Sequence, residues 1–315
     1  MNKVPLVAIL GTTASGKSAL GISLAKRLDG EVLVCDSTQV YRHFNIGTAK
    51  VPPEEQQGVP HHLVDLVEPE QVFTAGEFRK KAVEALDDIR SRKKLPILTA
   101  GTGLYLRALL EGLADAPVRS DDLRERFRES AKSRGPEYLH RLLARLDREA
   151  AARIAPRDTQ KIIRALEIRL LAGKPVGEIH RSGRSALEGF SIIKIGLAPP
   201  RAALYERINQ RVFSMMDAGW IEEVRGLIAR GVPADAKPFQ FIGYSELRDH
   251  LEGRVEKEKA VQQIQQATRR FSKRQATWFR REPGVEWLAK FGDHPGAVEA
   301  SLKIILGDSS WTIQS

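Results

Sequence analysis

Residues 11–18 read Gly-Thr-Thr-Ala-Ser-Gly-Lys-Ser and follow directly after the apolar stretch Val4 to Leu10. This order fits the phosphate loop G-x-x-x-x-G-K-[ST], a glycine-rich turn between a buried strand and a helix. The glycines let backbone N–H groups surround phosphate oxygens, while Lys17 supplies a compact positive charge. Ser18 is the hydroxyl that binds Mg²⁺ in such loops. The stretch predicts an α/β fold that binds a diphosphate or triphosphate together with Mg²⁺.

The composition is typical of a globular protein with about two domains. Of its 315 residues, 42 % are hydrophobic and 29 % are charged. No stretch approaches the roughly 18 apolar residues of a membrane span, and Met1 to Lys3 leads into a strand rather than a signal peptide. We therefore expect a cytoplasmic protein without a membrane partner. The single cysteine, Cys35, ends an apolar run and is expected to be buried.

The charge is basic, and the excess is concentrated near the C-terminus. Fifty Lys and Arg residues against forty Asp and Glu residues give a net charge of +10. Residues 267–281 contain no acidic side chain, and aromatic residues interrupt their basic ones, which favours a nucleic acid as partner. In the alternative, Phe271 and Trp278, seven positions apart, face a core while the charges face solvent. The basic residues are Arg269, Arg270, Lys273, Arg274, Arg280 and Arg281.

Strands and helices alternate over the first part of the chain, which predicts a parallel sheet flanked by helices. The predicted strands are Val4 to Leu10, Glu31 to Cys35 and Leu95 to Ala100, and the predicted helices are Gly16 to Leu28, Gly76 to Arg92 and Gly103 to Leu113.

The region after residue 115 changes character and predicts a helical insertion, because it is rich in Arg, Glu, Leu and Ala at helical spacing. The sheet is expected to resume at Ser191 to Leu197. The later predictions are one helical stretch from Pro200 to Ala229, a helix from Glu256 to Phe279 and a last strand from Val285 to Leu288. The predicted domains are residues 1–115 and 191–315 as a catalytic core and residues 116–190 as the insertion.

Two further segments follow predicted strands, at the edge where parallel sheets place ligands. Asp36 comes directly after the second strand and could hold Mg²⁺, act as a general base, or cap the turn. Thr102 lies between Gly101 and Gly103 after the third strand, where it could hydrogen-bond a ligand without charge. Turn glycines alone would also explain this second segment.

Taken together, these motifs resemble the tRNA dimethylallyltransferases of the bacterial type. The resemblance covers roughly residues 4 to 290 and departs from the family's pattern at Thr12, where proline is common. Besides residues 11–18, its blocks are Asp36 to Tyr41, Asn45 to Lys50, His61 to Asp65, Phe73 to Ala75, Gly101 to Tyr105, Arg164 to Glu167, Gly219 to Trp220, Ile242 to Tyr244 and Thr268 to Gln275.

The resemblance implies transfer of a dimethylallyl group from dimethylallyl diphosphate to N6 of adenosine 37 in the tRNA anticodon arm. It implies catalytic roles for Asp36, Thr102 and Arg124. It implies diphosphate binding by Gly11, Thr12, Thr13, Ala14, Ser15, Gly16, Lys17, Ser18 and Arg211. The implied tRNA contacts are Asp36, Ser37, Thr38, Gln39, Thr102, Arg124, Gln160, Lys161, Ile162, Ile163 and Arg164.

Binding of the anticodon arm is further assigned to the helical insertion and to four basic residues, Arg269, Arg270, Lys273 and Arg274. Binding of the metal ion is assigned to Ser18. For Arg124 and Arg211, a position on a solvated helix face is the alternative. The adjacent histidines His61 and His62 would point to opposite faces of a strand, which disfavours a shared metal ion. We expect a monomer.

Three other functions remain open from the residues alone. A small-molecule kinase would use Asp36 to activate a hydroxyl and ATP as donor, but it leaves the basic segment without a use. A nucleotide-switched RNA-binding protein leaves Asp36 and Thr102 without a role. The third function, prenylation of free AMP, leaves a basic surface of tRNA size without a use.

Overall fold

A computed structural model describes residues 3–181, 183 and 185–308, apart from the side chain of Pro136. The chain divides into two compact units, of which the first comprises Met1–Leu109 and Glu188–Ser315 and the second comprises Leu110–Leu187. We call them the α/β unit and the helical unit. The helical unit begins and ends somewhat earlier than the predicted insertion at residues 116–190. Among the described residues, no helix is both long and apolar enough to cross a membrane.

The α/β unit is built on a six-stranded sheet with the order β3-β2-β4-β1-β5-β6. All neighbouring strands are parallel, so the predicted fold class is confirmed. The strands are β1 Val4–Gly11, β2 Gly30–Cys35, β3 His61–His62, β4 Leu95–Ala100, β5 Phe190–Leu197 and β6 Val285–Leu288. The predicted order of strands lacks β3, because two residues carry no alternation to recognise, although the opposite faces expected for His61 and His62 presuppose a strand there.

The described helices are α1 Lys17–Arg27, α2 Ala75–Ser91, α3 Gly103–Glu111, α4 Asp121–Arg134, α5 Pro136–Leu146, α6 Arg148–Arg153, α7 Thr159–Ala172, α8 Val176–Arg181, α9 Arg201–Asp217, α10 Trp220–Ala229, α11 Tyr244–Leu251, α12 Lys257–Phe279 and α13 Pro295–Gly307. The predicted single stretch from Pro200 to Ala229 is wrong, because Gly219 has φ 92° and ends one helix before the next begins. Helix α13 was not predicted.

Two large apolar clusters hold the α/β unit together. The first packs α1 and α13 against the sheet through fully buried side chains such as Leu20, Ile9 and Ile305. The second surrounds Trp220 and Tyr244. It packs the four helices α9, α10, α11 and α12 against the segment that follows β2. The strands enter these clusters almost continuously buried, as expected for a sheet covered by helices.

The helical unit has its own core, in which Leu139, Leu143, Ile162 and Leu166 are fully buried. Side-chain caps define the starts of α4, α6 and α7. The buried carboxylate of Asp147 accepts N–H groups from the first turn of α6 and from the first residue of α8, at 2.9 and 2.7 Å. Capping of two helices by one residue fixes the connection between them.

Candidate active site

The phosphate loop connects β1 to α1 through two left-handed backbone positions. Ala14 has φ 61° and Gly16 has φ 90°. A Cβ atom on Gly16 would also lie 2.6 Å from the backbone nitrogen of Gly292, so only glycine fits there. The loop leads into the N-terminus of an eleven-residue helix, where free N–H groups and the helix dipole favour an anion.

Two hydroxyls of this loop are buried without a partner. Thr12 Oγ1 and Ser15 Oγ make no hydrogen bond to any residue in the described part of the chain. An unpaired buried polar atom costs about 1–3 kcal/mol. The Thr12 carbonyl oxygen, rather than its side chain, accepts the Lys17 ammonium at 2.8 Å. The departure from proline at this position therefore leaves that contact intact.

Lys17 and Arg211 form the cationic part of the site. The pKa of Lys17 is lowered to about 8, mainly by burial; the negative charge of Asp36 opposes the shift, and Arg211 contributes to it. Arg211, on α9, makes no hydrogen bond or ion pair within the described residues. Its neighbour Arg207 is instead neutralised by Asp293, through contacts of 2.7 and 3.0 Å. Two neighbouring cations without a carboxylate partner suit a multiply charged anion.

Asp36 lies directly after β2 with one carboxylate oxygen anchored. Asp36 Oδ1 accepts the backbone N–H and the hydroxyl of Thr38 at 2.8 and 2.7 Å. Asp36 Oδ2 accepts no hydrogen bond from a described residue and lies 2.6 Å from the position of a Cβ atom on Gly101. A larger residue at position 101 would therefore displace this oxygen, and Oδ2 is the carboxylate oxygen available to a ligand.

Thr102 is brought next to Asp36 by the neighbouring strand β4. Its hydroxyl oxygen accepts the N–H of Ser37 at 3.0 Å, and its own N–H donates to the Cys35 carbonyl oxygen at 3.1 Å. The loops after β2 and β4 thus form one hydrogen-bonded rim. Cys35 itself is fully buried, as predicted, and burial raises the pKa of its thiol.

These groups line one cleft of about 1440 Å³ in the α/β unit. The cleft is polar at the phosphate loop and at Asp36, Thr102 and Arg211. Its remaining lining includes apolar side chains, of which Ile46, Val212, Met215, Trp220, Phe241, Ile242 and Ile264 are examples.

Segments far apart in the sequence meet around Trp220 in this cleft. A Cβ atom on Gly47 would lie 2.4 Å from the indole, and one on Gly243 would lie 1.9 Å from it, so both positions need glycine. Glu223 accepts the N–H of Ile46 at 2.9 Å and the hydroxyl of Tyr244 at 2.6 Å. These contacts explain why the blocks at residues 45–50, 219–220 and 242–244 occur together.

Gln275 on α12 was part of a recognised block but received no role from the sequence. Its Oε1 accepts the N–H of Thr13 and its Nε2 donates to the carbonyl oxygen of Gly101, both at 2.8 Å. Nothing in the one-dimensional pattern separates this glutamine from others on a polar helix. Arg207 and Asp293 were also missed, because their pairing joins residues that are far apart in the sequence.

The basic segment lies on the exposed side of α12. Arg270, Lys273 and Arg274 are exposed, and Arg274 also lines the cleft, whereas the buried side contains Ser272, Gln275 and Phe279. None of the six basic residues forms an ion pair within the part of the chain that the structure describes.

The alternative in which Phe271 and Trp278 face a core is wrong. Phe271 lines the cleft, and Trp278 is 38 % exposed, with the Arg107 guanidinium 4.8 Å above its ring.

Arg124 and Arg164 lie in the helical unit, where both hold the buried carboxylate of Glu167. Arg124 donates to Glu167 at 2.9 and 2.8 Å, and Arg164 donates to it as well. Burial would raise the pKa of Glu167, but these hydrogen bonds outweigh it and hold the pKa at about 2. Both arginines therefore have a structural partner, which the sequence did not indicate. Their predicted contacts with tRNA stay predictions.

The stretch from Gln160 to Arg164 presents two kinds of residue. Ile162 and Ile163 are buried in the core of the helical unit, at 0 and 6 % exposure. Gln160 and Lys161 are exposed on the first turn of α7. In this conformation the side chains that the stretch can offer to RNA are polar or basic.

His61 and His62 form β3, and their side chains have different neighbours. His62 Nε2 lies 2.6 Å from Glu31 Oε2, whereas His61 Nδ1 lies 2.9 Å from the Val59 carbonyl oxygen. Among the described residues, no three His, Cys, Asp or Glu side chains are grouped as metal ligands.

Comparison with known proteins gives a consistent result. A family profile described as IPP transferase matches residues 39–282. The tRNA dimethylallyltransferase of Koribacter versatilis is 50 % identical over 304 residues, which cover 95 % of this chain and 97 % of that protein. The tRNA dimethylallyltransferase of Geobacter metallireducens is 44 % identical over 305 residues and 97 % of each chain.

Solved structures agree. The full-length tRNA isopentenylpyrophosphate transferase of Bacillus halodurans has a TM-score of 0.71 and 39 % identity, over 97 % of this chain and 96 % of that one. A eukaryotic dimethylallyltransferase acting on tRNA has a TM-score of 0.80 and 26 % identity, over 99 % of this chain and 81 % of that one.

Proposed function

The chain belongs to the tRNA dimethylallyltransferase family, and on that premise we propose that it transfers a dimethylallyl group from dimethylallyl diphosphate to N6 of adenosine 37 in tRNA. One observation supports this most directly: a phosphate loop and an available carboxylate oxygen open onto the same cleft. The reaction forms a carbon–nitrogen bond, breaks the carbon–oxygen bond of the donor and releases diphosphate and a proton.

The donor diphosphate binds in the loop of residues 11–18. Negative charge grows on the diphosphate as the carbon–oxygen bond breaks, and stabilisation of that charge is the main contribution the protein can make. Lys17, Arg211 and the N–H groups at the start of α1 supply it. The apolar wall around Ile46 and Trp220 accommodates the hydrocarbon part of the donor.

The acceptor amine binds at Asp36. The exocyclic nitrogen of adenine is a weak nucleophile, and its lone pair becomes available as its proton is taken up. Asp36 Oδ2 accepts this proton, while the bonds from Thr38 to Oδ1 hold the carboxylate in orientation. Adenosine 37 must leave the stack of the anticodon loop to reach this oxygen, which costs a few kcal/mol, less in a loop than in a duplex.

Magnesium fits the residues of the loop. Ser18 offers a hydroxyl at the start of α1 and lines the cleft next to Lys17. Since the described residues contain no cluster of carboxylates or histidines, the ion would be held by Ser18, the diphosphate and water, as Mg²⁺ commonly is. When bound, it supplies further neutralisation of the leaving diphosphate.

The acceptor is tested by incubating the protein with labelled dimethylallyl diphosphate, Mg²⁺ and one of three acceptors: unmodified tRNA, the same tRNA with guanosine at position 37, or AMP. We expect label only in the unmodified tRNA, with one diphosphate released for each group transferred. Label in AMP would point to a free-nucleotide prenyltransferase. Phosphate transfer from ATP to a small hydroxyl compound, without prenyl transfer, would point to a kinase. The expected cytoplasmic location and monomeric state stay predictions.

A further inference from the structure

We infer that Gln275 is a positioning residue, whose side-chain amide sets the distance between the loop that binds the donor and the loop that binds the acceptor amine. The inference rests on the proposed function and deepens it. Gln275 uses both of its polar atoms on backbone groups, so it acts through the two loops.

The amide connects segments that are remote in the sequence. Thr13 is 262 positions from Gln275 and Gly101 is 174 positions from it, yet both hydrogen bonds are 2.8 Å long. A glutamine amide is suited to this because it carries an acceptor and a donor side by side. Gln275 is only 7 % exposed, which limits competition from water for these bonds.

Each bond ends at a group that adjoins the chemistry. Thr13 lies within the phosphate loop, four positions before Lys17. Gly101 lies against Asp36 Oδ2, and its N–H donates to the Cys35 carbonyl oxygen at 3.0 Å, directly before Asp36. A shift of Gly101 therefore moves the surface on which the Asp36 carboxylate rests.

The kinetic consequence follows from how displacement reactions depend on distance. A misplacement of about 1 Å between reacting groups can cost roughly 100-fold in rate, while binding of each substrate depends on its own loop. Loss of the Gln275 bridge should therefore lower the rate of transfer and leave the affinities for donor and tRNA nearly unchanged.

The test compares Gln275→Met with Ser272→Ala in single-turnover transfer, with the affinities for dimethylallyl diphosphate and tRNA measured separately. Methionine keeps the length and volume of the side chain but removes both hydrogen bonds. Ser272 is the matched control, because it is a buried polar residue on the same side of α12 whose hydroxyl donates only to the Arg269 carbonyl oxygen of its own helix. We expect about a 10- to 100-fold lower rate for Gln275→Met and wild-type behaviour for Ser272→Ala.

A second variant covers the case in which Gln275→Met does not fold. In Gln275→Glu, an ionised carboxylate still accepts from Thr13 but repels the Gly101 carbonyl oxygen. A protonated carboxyl group can again donate to that oxygen, and burial favours the protonated form. The rate of Gln275→Glu relative to wild type should therefore rise as the pH is lowered from about 8 to about 6.

The results separate this inference from the proposed function. Inactive wild-type protein would contradict the proposed function. If wild type is active and Gln275→Met transfers at the wild-type rate, the positioning role is wrong. It is also wrong if Gln275→Met loses only donor affinity, or if the relative rate of Gln275→Glu does not change with pH.

Discussion

Lys17 and Asp36 carry opposite charges on neighbouring loops of one cleft, and each is held by a contact from its own segment. The Thr12 carbonyl oxygen holds the ammonium, and Thr38 holds one oxygen of the carboxylate. Both charged groups therefore keep a free side toward the cleft. Because the pKa of Lys17 is about 8, its proton is retained at neutral pH by a narrow margin.

Replacement of Asp36 by alanine should remove the general base. Turnover is expected to fall by about 10²- to 10⁴-fold, while tRNA affinity changes by no more than a few fold. Single-turnover transfer and a gel-shift assay measure the two quantities. Asp235→Ala, which removes an exposed carboxylate that does not line the cleft, serves as the control. Near-normal turnover of Asp36→Ala would show that another group takes the proton.

The titration of Lys17 should appear in the binding of inorganic diphosphate. Above a pH of about 8, Lys17 loses its proton in the protein without ligand. The affinity for inorganic diphosphate should therefore fall by up to about tenfold for each further pH unit. An arginine at this position stays charged throughout that range. Inhibition constants measured at several pH values for wild type and Lys17→Arg should therefore diverge above pH 8, and parallel curves would rule out Lys17 as the titrating group.

At the scale of elements, the single helix α12 contributes residues both to the cleft and to an exposed basic surface. Its buried side places Gln275 between two loops of the site, its other side presents Arg270 and Lys273 to solvent, and the exposed Arg274 also lines the cleft. The 3.6-residue helical period makes this division, since residues one position apart point in directions that differ by about 100°. The exposed basic side is the part that we assign to the anticodon arm.

The basic side should contribute through release of counterions from tRNA. Replacement of Arg269, Arg270, Lys273 and Arg274 by alanine should weaken tRNA binding and flatten its salt dependence. The slope of the logarithm of the binding constant against the logarithm of the salt concentration should fall in magnitude by about 0.7 to 0.9 for each phosphate that the variant no longer neutralises. Donor affinity should not change in the triple variant that keeps Arg274, because only Arg274 of these four residues lines the cleft proposed for the donor. The control is Lys257→Ala with Lys259→Ala, which removes exposed charge from the first turn of the same helix.

Binding is measured at three salt concentrations, together with a melting curve for each variant. If the quadruple variant is folded and has the wild-type salt slope, tRNA is held elsewhere. Arg269 contacts Asn209, so its single replacement is measured as well to separate packing from charge.

At the scale of the whole molecule, the chain forms two units with separate cores. The helical unit depends on the buried carboxylate of Glu167, which Arg124, Arg164 and the N–H of Ser120 satisfy. Its depressed pKa gives stability that is complete above the ordinary value of 4.5 and is lost as the pH falls toward about 2.

Glu167→Gln should therefore lower the free energy of unfolding of the helical unit at neutral pH, on the order of 3 kcal/mol, because it leaves two arginines without their anion. The variant should also lose less stability than wild type on acidification. Hydrogen exchange of the amides of α7 measures both effects. Glu125→Gln, an exposed carboxylate paired with Arg128, is the control.

Diphosphate binding to the α/β unit should not change in Glu167→Gln, because Lys17 and Arg211 lie outside the helical unit. A weaker diphosphate affinity without unfolding would contradict this prediction.

The sequence by itself determined the local features of this protein. The phosphate loop, the buried strands and the position of Asp36 after β2 could be predicted, because each depends on residues that are adjacent in the chain or repeat with a fixed period. Three contacts could be known only from the tertiary structure. Gln275 bonds to the loops after β1 and β4, Asp293 neutralises Arg207, and Arg124 and Arg164 both bind Glu167. Those contacts join residues from different segments, and a hydrogen bond of one side chain across many positions leaves no periodic signal in the sequence. The break at Gly219 was also visible only in the structure, where its left-handed backbone ends one helix before the next begins.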